Sequence, residues 1–387
     1  MDWSSQRYIQ KGLSLGRSRP LLDAAVTAIE NVIVPTPELP ALLTLNHLAT
    51  RTGVSYQDLR GFICGSKNSY RHFRIRKRSG GHRLISVPNP GLMTVQRWLT
   101  AHILNHLPVH HCSYAFKPKA SIKKCAARHV GARWLIKMDV AGFFGSISEI
   151  QVYWVFRALN YGPLISFELA RLVTYAPDVS PRYLRRYWRA RRHPSPILTY
   201  SRERLGYLPQ GAPTSPMLSN LIMRDADREI EAVAKAAGLR YTRYSDDLTF
   251  STTGEFSREQ AKKVIQKVSA VLRRMGLQPN PRKTMVVPPG GRKVVLGLLV
   301  DGPEPKLPRE FKSLLRQHLY YLERLGPWEH AKNRNFDTIW GMYRHIRGLI
   351  DYAKMIEEDY ALSMKERLDA VAWPKFGESR VNESVTA

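Results

Sequence analysis

Three aspartates stand where carboxylates could bind divalent cations. Asp139 lies at the end of the apolar stretch WLIKMDV (134–140), and Asp246-Asp247 lie in the middle of YTRYSDDLTFS (241–251). Magnesium prefers oxygen ligands and keeps several waters, so two or three carboxylates on rigid backbone can bind it. Two such ions about 3.5–4 Å apart support nucleotidyl transfer, because one activates the attacking hydroxyl and the other neutralises the leaving pyrophosphate. The three aspartates therefore predict a nucleotidyl-transfer site with two Mg²⁺ ions.

Each of these aspartates also has an ordinary structural explanation. A single aspartate at a strand end is usually a turn former, and two adjacent aspartates in a hairpin turn are usually solvated. Here, however, apolar residues flank both the Asp139 position and the Asp246-Asp247 pair. Burial of carboxylates in such surroundings would cost several kcal/mol without a cation. The flanking residues therefore favour the metal site.

Two types of periodicity predict the elements that position these residues. Alternation of apolar and polar residues predicts β-hairpins at 71–88, around Ser79-Gly80-Gly81, and at 241–251, and apolar runs predict strands at 134–140 and 294–300. Helical spacing, with Ser215 as an N-cap and an interruption near Gly326-Pro327, predicts helices at 20–60, 92–107, 215–237, 257–275 and 306–372. Within the first of these ranges, residues 45–63 fit a helix-turn-helix or a small docking element equally well.

The charge of the chain indicates its partner. Sixty lysines and arginines against 32 aspartates and glutamates give a net charge of +28 and a pI near 10.2. A chain this basic repels itself unless a polyanion neutralises it, and nucleic acid is the usual polyanion. A merely soluble basic protein is the alternative reading.

Other features argue against a membrane or secreted protein. No apolar run reaches the roughly 18 residues that a bilayer span requires, and MDWSSQRYIQ lacks a signal peptide's apolar stretch. The three cysteines, Cys64, Cys112 and Cys125, are an odd number without the usual spacing of zinc ligands. We therefore expect a cytoplasmic protein with neither a disulfide framework nor a zinc site.

Four motifs, in order and spacing, resemble the palm motifs of reverse transcriptases: IKMDVAGFF (136–144), LPQGAPTSP (208–216), YSDD (244–247) and GLQPNPRKT (276–284). Upstream, YRHFRIRKRSGGHRLISVPNPGLMTVQRWL resembles the fingers of bacterial retron enzymes, and downstream FDTIWGMYRHIRGLIDYA resembles a thumb. The resemblance spans roughly residues 45 to 360. It implies an RNA-directed DNA polymerase with an α+β right-hand fold, in which fingers, an antiparallel palm sheet and a helical thumb follow one another.

The resemblance also implies a division of the chain. Residues 1–60 would form an N-terminal helical extension, 61–304 the fingers and palm, 305–372 the helical thumb, and 373–387 a disordered tail. It assigns Asp139 and Asp246 to both metals and Asp247 to the same site beside the primer terminus.

The same resemblance implies residues that bind the incoming dNTP. The ring of Phe144 would press on the sugar and exclude a 2′-hydroxyl, while Gln210 and Gly211 would line the sugar and base. The triphosphate would contact Arg83, Lys77 and Lys283, with Lys283 next to the leaving pyrophosphate. Taken alone, Phe144 and Gln210 would be an ordinary core aromatic and a polar turn residue.

Two further elements resemble those of retron enzymes. Cys125-Ala126-Ala127-Arg128-His129 stands where retrons have Asn-Ala-x-x-His, and Val295-Leu296-Gly297 stands where they have Val-Thr-Gly. The family implies a structured non-coding RNA as template, priming from an internal guanosine 2′-hydroxyl, a branched RNA–DNA product, and anti-phage defence with a separate effector protein. His129 would contact the RNA, although a lone histidine is more often structural.

An arginine-rich segment separates the first two palm motifs. Residues 182–204 contain eight arginines interleaved with Tyr183, Tyr187, Trp188 and Tyr200, a composition that suits phosphate contacts and stacking on unpaired bases. We therefore predict RNA contacts by Arg185, Arg186, Arg189, Arg191 and Arg192; a solvated basic loop is the alternative. Two alternatives also stay open for the whole chain: a defence-related or group II intron-like reverse transcriptase with different priming, and a non-catalytic RNA-binding scaffold.

Overall fold

The computed structural model describes residues 3–76, 80–176 and 205–374. Within these ranges the chain divides into two compact units. The first comprises Met1–Ala120, Lys137–Leu248 and Glu259–Met285, and the second comprises Ser121–Ile136, Thr249–Arg258 and Val286–Ala387. The domain boundaries at 60, 304 and 372 stay predictions.

The described chain alternates helices with short strands. Its helices are α1 (Ser5–Ser14), α2 (Arg19–Ile33), α3 (Leu45–Thr52), α4 (Tyr56–Cys64), α5 (Pro90–His102), α6 (Ile122–Ala127), α7 (Phe143–Ser146), α8 (Glu149–Ala158), α9 (Pro163–Val173), α10 (Ser215–Ala236), α11 (Arg258–Arg274), α12 (Arg309–Asn333), α13 (Ile339–Lys354) and α14 (Glu358–Asp369). Its strands are β1 (Tyr70–Arg76), β2 (His82–Pro88), β3 (Trp134–Ala141), β4 (Arg240–Tyr244), β5 (Asp247–Thr252), β6 (Gln278–Pro279), β7 (Met285–Val287), β8 (Val294–Val295) and β9 (Leu298–Leu299).

A five-stranded sheet positions the predicted metal ligands. Its strand order is β4-β5-β3-β6, and β7 also pairs with β3. β3 and β6 are antiparallel, with Val140 opposite Pro279 and Ala141 opposite Gln278. Most residues of β3, β4 and β5 are buried in succession, as expected for strands covered on both faces.

The predicted first hairpin is present. β1 and β2 pair antiparallel from Tyr70 opposite Pro88 to Arg76 opposite His82. The backbone N–H of Ser86 donates to the Gln210 carbonyl at 2.7 Å, which fixes the base of the hairpin on the 210–211 turn. Gly211 has a φ of +113°, and a Cβ there would lie 2.8 Å from Ile85 Cγ2, so glycine is required at this close approach.

The long helix after the second palm motif begins at Ser215, but its N-cap prediction is wrong. Thr214 occupies the N-cap position, with Pro216 in the first turn. The Ser215 hydroxyl instead donates to the Pro209 carbonyl at 2.7 Å, which ties the helix start to the preceding loop.

The second unit has an apolar core built mainly by α12, α13 and α14. The helical prediction for 306–372 is confirmed, and the predicted interruption is a kink at Gly326, which has a φ of 78° and a ψ of 170°. Trp373 packs against this core, so the predicted tail begins later than residue 373. Residues 375–387 lie outside the described ranges.

The predicted single strand at 294–300 is wrong. β8 and β9 form a small antiparallel hairpin, with Val294 opposite Leu299. The chain turns back at Leu296 and Gly297, whose φ values are 49° and 83°. In the three described ranges we find no helix that is long and apolar enough to cross a membrane.

Candidate active site

The two segments that carry the three aspartates are hydrogen-bonded to each other. Asp139 is the sixth residue of β3, and Asp246 and Asp247 stand at the two-residue turn that leads from β4 into β5. The backbone N–H of Val140 donates to the Asp246 carbonyl at 3.1 Å. Ser245, which opens the turn, adopts a φ of 61° and is buried. The sheet thus brings the three predicted ligands together.

Asp139 is 5% exposed and fully hydrogen-bonded to one loop. Its Oδ1 accepts from Asn280 Nδ2 at 3.0 Å, and its Oδ2 accepts from Lys283 Nζ at 2.7 Å. Its main-chain carbonyl also accepts from the Asn280 N–H at 2.7 Å. The loop after β6 therefore orients this carboxylate and neutralises it.

The electrostatics at Asp247 show how closely the carboxylates approach each other. Burial raises the pKa of Asp247, and the carboxylates of Asp246 and Asp139 raise it further. Lys137 and Lys283 act in the opposite direction on that pKa. Hydrogen bonding to Asp139 raises the pKa of Lys283, although partial burial opposes the shift. Two lysines thus partly compensate a concentration of negative charge.

These side chains suit hard divalent cations. The three aspartates offer carboxylate oxygens on adjoining strands, and oxygen ligands are what Mg²⁺ and related ions prefer. The negative charge at Asp247 is of the sign that a cation would relieve. Lys283 has a side chain that is 59% exposed, so it can leave Asp139 without unpacking the core.

The residues predicted for nucleotide binding lie in three places. Phe144 is half-buried in α7, with its ring centroid 5.5 Å from Phe143 and 6.1 Å from Phe116. Gln210 and Gly211 form the turn that binds β2, and Arg83 is exposed on that strand. The structure therefore brings Gln210 and Gly211 to the hairpin that carries Arg83.

Several predicted residues lie outside the described ranges: Lys77, Arg185, Arg186, Arg189, Arg191 and Arg192. His129 is described and is fully buried, with Nδ1 2.7 Å from Ser251 Oγ. A direct contact between this ring and RNA would require its exposure.

Sequence reasoning missed two features of the site. Asn280, which bonds Asp139 through both its side chain and its backbone, stands inside the fourth palm motif, where its position could have suggested a role. The second feature, beneath the Asp246-Asp247 turn, has no sequence signal. Arg243 donates through Nη1 to the Ser245 carbonyl at 3.0 Å and pairs with Asp227 at 2.7 Å, and both side chains are 0% exposed.

Residues 75–298 match the family model described as reverse transcriptase (RNA-dependent DNA polymerase). The chain belongs to the reverse transcriptases. Its curated relatives are retron enzymes: it is 32% identical to the retron Mx65 reverse transcriptase of Myxococcus xanthus over 85% of this chain and 72% of the relative. It is 27% identical to the retron Ec86 reverse transcriptase of Escherichia coli, over 83% of this chain and 92% of the relative.

The predicted family, enzyme class and fold are therefore confirmed. The protein is a retron-type reverse transcriptase, an RNA-directed DNA polymerase with the α+β right-hand fold of fingers, palm and thumb. Enzymes of this family use divalent metal ions, an RNA template and a DNA product.

Solved structures similar to this reverse transcriptase include a telomerase from Candida albicans in complex with a fragment of telomeric RNA (TM-score 0.42, 12% identity). A foamy viral protease–reverse transcriptase in complex with double-stranded DNA matches with a TM-score of 0.36 and 15% identity. Each match covers 79% of this chain, but only 57% and 44% of the telomerase and viral chains, respectively.

Proposed function

We propose that the enzyme reverse-transcribes a cognate structured non-coding RNA into single-stranded DNA, with Asp139, Asp246 and Asp247 as ligands of two Mg²⁺ ions. One observation carries this proposal: β3 is hydrogen-bonded to the Asp246 turn, and both other carboxylates act on the pKa of Asp247. Bound there, the ions would supply activation of the primer hydroxyl and charge neutralisation on the transferring phosphate.

The surrounding side chains would prepare the site for these ions. Asn280 fixes the orientation of Asp139 through two hydrogen bonds, which reduces the reorganisation that metal binding requires. Lys283 neutralises Asp139 before a metal arrives. Once a cation takes over that role, the exposed Lys283 ammonium would be available to the leaving pyrophosphate.

We propose that the nucleotide pocket lies between the base of the β1–β2 hairpin and α7. Gln210 and Gly211 would line the sugar and base, and Arg83, with Lys77 from outside the described ranges, would contact the triphosphate. Phe144 would exclude a 2′-hydroxyl by its bulk. The Ser86–Gln210 hydrogen bond supports this arrangement, because it joins the hairpin and the turn.

The catalytic assignment can be tested with the double variant Asp246→Ala/Asp247→Ala. We expect loss of Mg²⁺-dependent dNTP incorporation on a primed RNA template, because the charge compensation of the transferring phosphoryl group is removed. Asp225→Ala is a matched control, since its carboxylate is 70% exposed and pairs only with the neighbouring Arg228. Substantial incorporation by the double variant would contradict the assignment.

We also propose that priming starts at an internal guanosine 2′-hydroxyl and gives a branched RNA–DNA product, which acts in cytoplasmic anti-phage defence with a separate effector protein. The similarity to retron enzymes supports this proposal. The nucleic acid that copurifies with the enzyme tests it. After ribonuclease treatment, the DNA should keep a ribonucleotide branch that a 2′,5′-debranching enzyme removes. Linear DNA would favour a reverse transcriptase with different priming.

For RNA recognition we propose contacts by Arg185, Arg186, Arg189, Arg191 and Arg192, on the strength of the sequence alone. Each phosphate contact releases condensed counterions, so loss of several contacts should flatten the salt dependence of RNA binding by a bit under about one unit each. Extension of a generic primer–template at low salt should change little. An unaltered salt slope in the multiple-glutamine variant would mean that these arginines do not contact RNA.

A further inference from the structure

A second group of ligand-type side chains lies in the first unit, apart from the three aspartates. The loop His110-His111-Cys112 faces Glu231 of α10. His111 Nε2 lies 3.0 Å from Glu231 Oε1, and His110 Nε2 lies 3.6 Å from Glu231 Oε2. One ligand atom from each of the four residues lies within 4.8 Å of the others, and in the part of the chain that the structure describes no other group meets this criterion.

The donor atoms of this group differ from those of the aspartate site. Two imidazoles, one thiol and one carboxylate form a set that zinc accepts in four-coordinate protein sites. Thiolate and imidazole ligands favour transition metals, whereas Mg²⁺ prefers oxygen ligands alone. We propose that His110, His111, Cys112 and Glu231 bind one divalent transition-metal ion of the zinc type. This proposal is independent of the function proposed above.

Backbone geometry explains how three successive residues can face one point. The N–H of Ser113 donates to the His110 carbonyl at 2.9 Å and closes a tight turn around His111 and Cys112. The ring centroids of His110 and His111 are consequently only 4.5 Å apart. Glu231 projects from α10 toward this turn and is 14% exposed.

The charges around the thiol are those that a cation would balance. Cys112 is 5% exposed, and burial, followed by the carboxylates of Glu231 and Asp227, raises its pKa to about 12. Without a metal the thiol keeps its proton and donates to Glu231. Metal binding would replace the S–H bond by a metal–sulfur bond and release the proton to water. A thiolate and a carboxylate then balance the charge of one divalent ion.

Two existing contacts would have to give way. Lys235 Nζ lies 2.8 Å from Glu231 Oε1, but this lysine side chain is 70% exposed and can move into solvent. The Cys112 N–H lies 3.4 Å from His110 Nδ1, a long contact that is lost if that nitrogen carries the proton when Nε2 binds metal. Neither change disturbs the core.

The position of the loop indicates what such an ion would do. The Cys112 carbonyl accepts from the Arg243 N–H at 2.8 Å, and the Tyr114 N–H donates to the Arg243 carbonyl at 2.8 Å. The loop therefore pairs with β4, the strand that ends at the Asp246-Asp247 turn. A metal between the loop and α10 would fix both elements against this strand, as structural zinc sites do.

Titration of the full-length enzyme with Co²⁺, in excess Mg²⁺ to occupy carboxylate sites, tests the proposal. We expect about one Co²⁺ per chain with a thiolate-to-cobalt charge-transfer absorption in the near ultraviolet, a signal that carboxylate ligands alone do not give. Addition of Zn²⁺ should displace it and raise the melting temperature.

The variant Cys112→Ser should lose the absorption, and Glu231→Gln should bind Co²⁺ more weakly. Cys64→Ser is the matched control, because this exposed cysteine lies on α4, away from the group, and should leave the signal intact. Glu231→Gln also serves if Cys112→Ser does not fold. No charge-transfer band in the wild-type enzyme, or an equal band in Cys112→Ser, would overturn the proposal.

Discussion

Two aspartates of the first unit hold a cationic side chain in opposite ways. Asp139 pairs with Lys283, whose side chain is 59% exposed, whereas Asp227 pairs with Arg243 and both side chains are 0% exposed. The buried pair is also saturated: Asp227 accepts from Tyr241, and Arg243 donates to Asn220 and to the Ser245 carbonyl. The Asp139 carboxylate faces one mobile lysine instead.

This difference separates a permanent ion pair from an exchangeable one. Removing one partner of a buried pair leaves an uncompensated charge in low dielectric, so the Arg243–Asp227 pair must persist whenever the chain is folded. An exposed lysine can leave its carboxylate at little cost, because water and salt screen the interaction. The permanent pair supports the turn on which Asp246 stands, and the exchangeable pair lies where a metal ion is proposed to bind.

The largest effect should come from breaking the permanent pair. Arg243→Met should lower the free energy of unfolding by roughly 3–5 kcal/mol, because Asp227 is left charged and buried. Denaturant unfolding of the full-length enzyme measures this. The double variant Arg243→Met/Asp227→Leu should recover part of the loss, and the exposed Arg228→Met should show almost none. Equal stability of Arg243→Met and Arg228→Met would contradict the comparison.

Breaking the exchangeable pair should affect catalysis instead of stability. We expect Lys283→Met to lower kcat on the order of 10²-fold, because a positive charge beside the leaving pyrophosphate is lost. The free energy of unfolding should change by about 1 kcal/mol or less, as for other exposed ion pairs. Single-turnover nucleotide incorporation and denaturant unfolding of the same preparation measure both. A large loss of stability with unchanged kcat would show that Lys283 is structural.

The same comparison shows what the sequence could and could not predict. Asp139, Asp246 and Asp247 were predictable, because each belongs to a short motif whose alternation of apolar and polar residues also predicts β3 and the β4–β5 hairpin. The Asp227–Arg243 pair was not, because Asp227 occupies one position on a long amphipathic helix, and nothing local marks the strand residue that it meets. His110, Cys112 and Glu231 likewise come together only through the fold.

Local errors had local causes. Ser215 has the chemistry of an N-cap, yet Thr214 takes that position because the Ser215 hydroxyl bonds to Pro209. The apolar run at 294–300 was predicted as one strand, since its periodicity does not reveal that Leu296 adopts a left-handed φ of 49° next to Gly297. Both errors concern turns, where hydrogen bonds to residues several positions away decide the geometry.

A smaller effect is expected from Phe144, which belongs to the catalytic side of the comparison. Phe144→Val should raise the ratio of rNTP to dNTP incorporation on the order of tenfold, because the smaller side chain leaves room for a 2′-hydroxyl. Phe143→Val is a useful contrast, since that ring is 4% exposed and should cost stability without changing the ratio. Single-nucleotide kinetics with matched dNTP and rNTP give the ratio. An unchanged ratio would assign sugar selection to another side chain.

The smallest effect concerns a buried pair without any charge, in the second unit. His318 Nδ1 lies 3.0 Å from His330 Nε2, and both side chains are 2% exposed. Burial, and then the neighbouring His330, Arg334 and His345, lower the pKa of His318 to about 4 from an ordinary value of 6.5. Burial and Arg334 also lower the pKa of His330.

The pH dependence of this pair follows from the sign of these shifts. Between about pH 6.5 and pH 4 the unfolded chain binds a proton at His318 that the folded chain does not, so stability is fully present above pH 6.5 and declines as the pH falls toward 4. Hydrogen exchange of α12 and α13 peptides, corrected for intrinsic rates, should therefore show weaker protection at pH 5 than at pH 7. His318→Gln should flatten this difference, whereas His345→Gln, at an exposed neighbour, should keep most of it. An equal difference in wild type and His318→Gln would mean that other groups carry the acid sensitivity, and that the neutral pair, unlike the two ion pairs, has no electrostatic role.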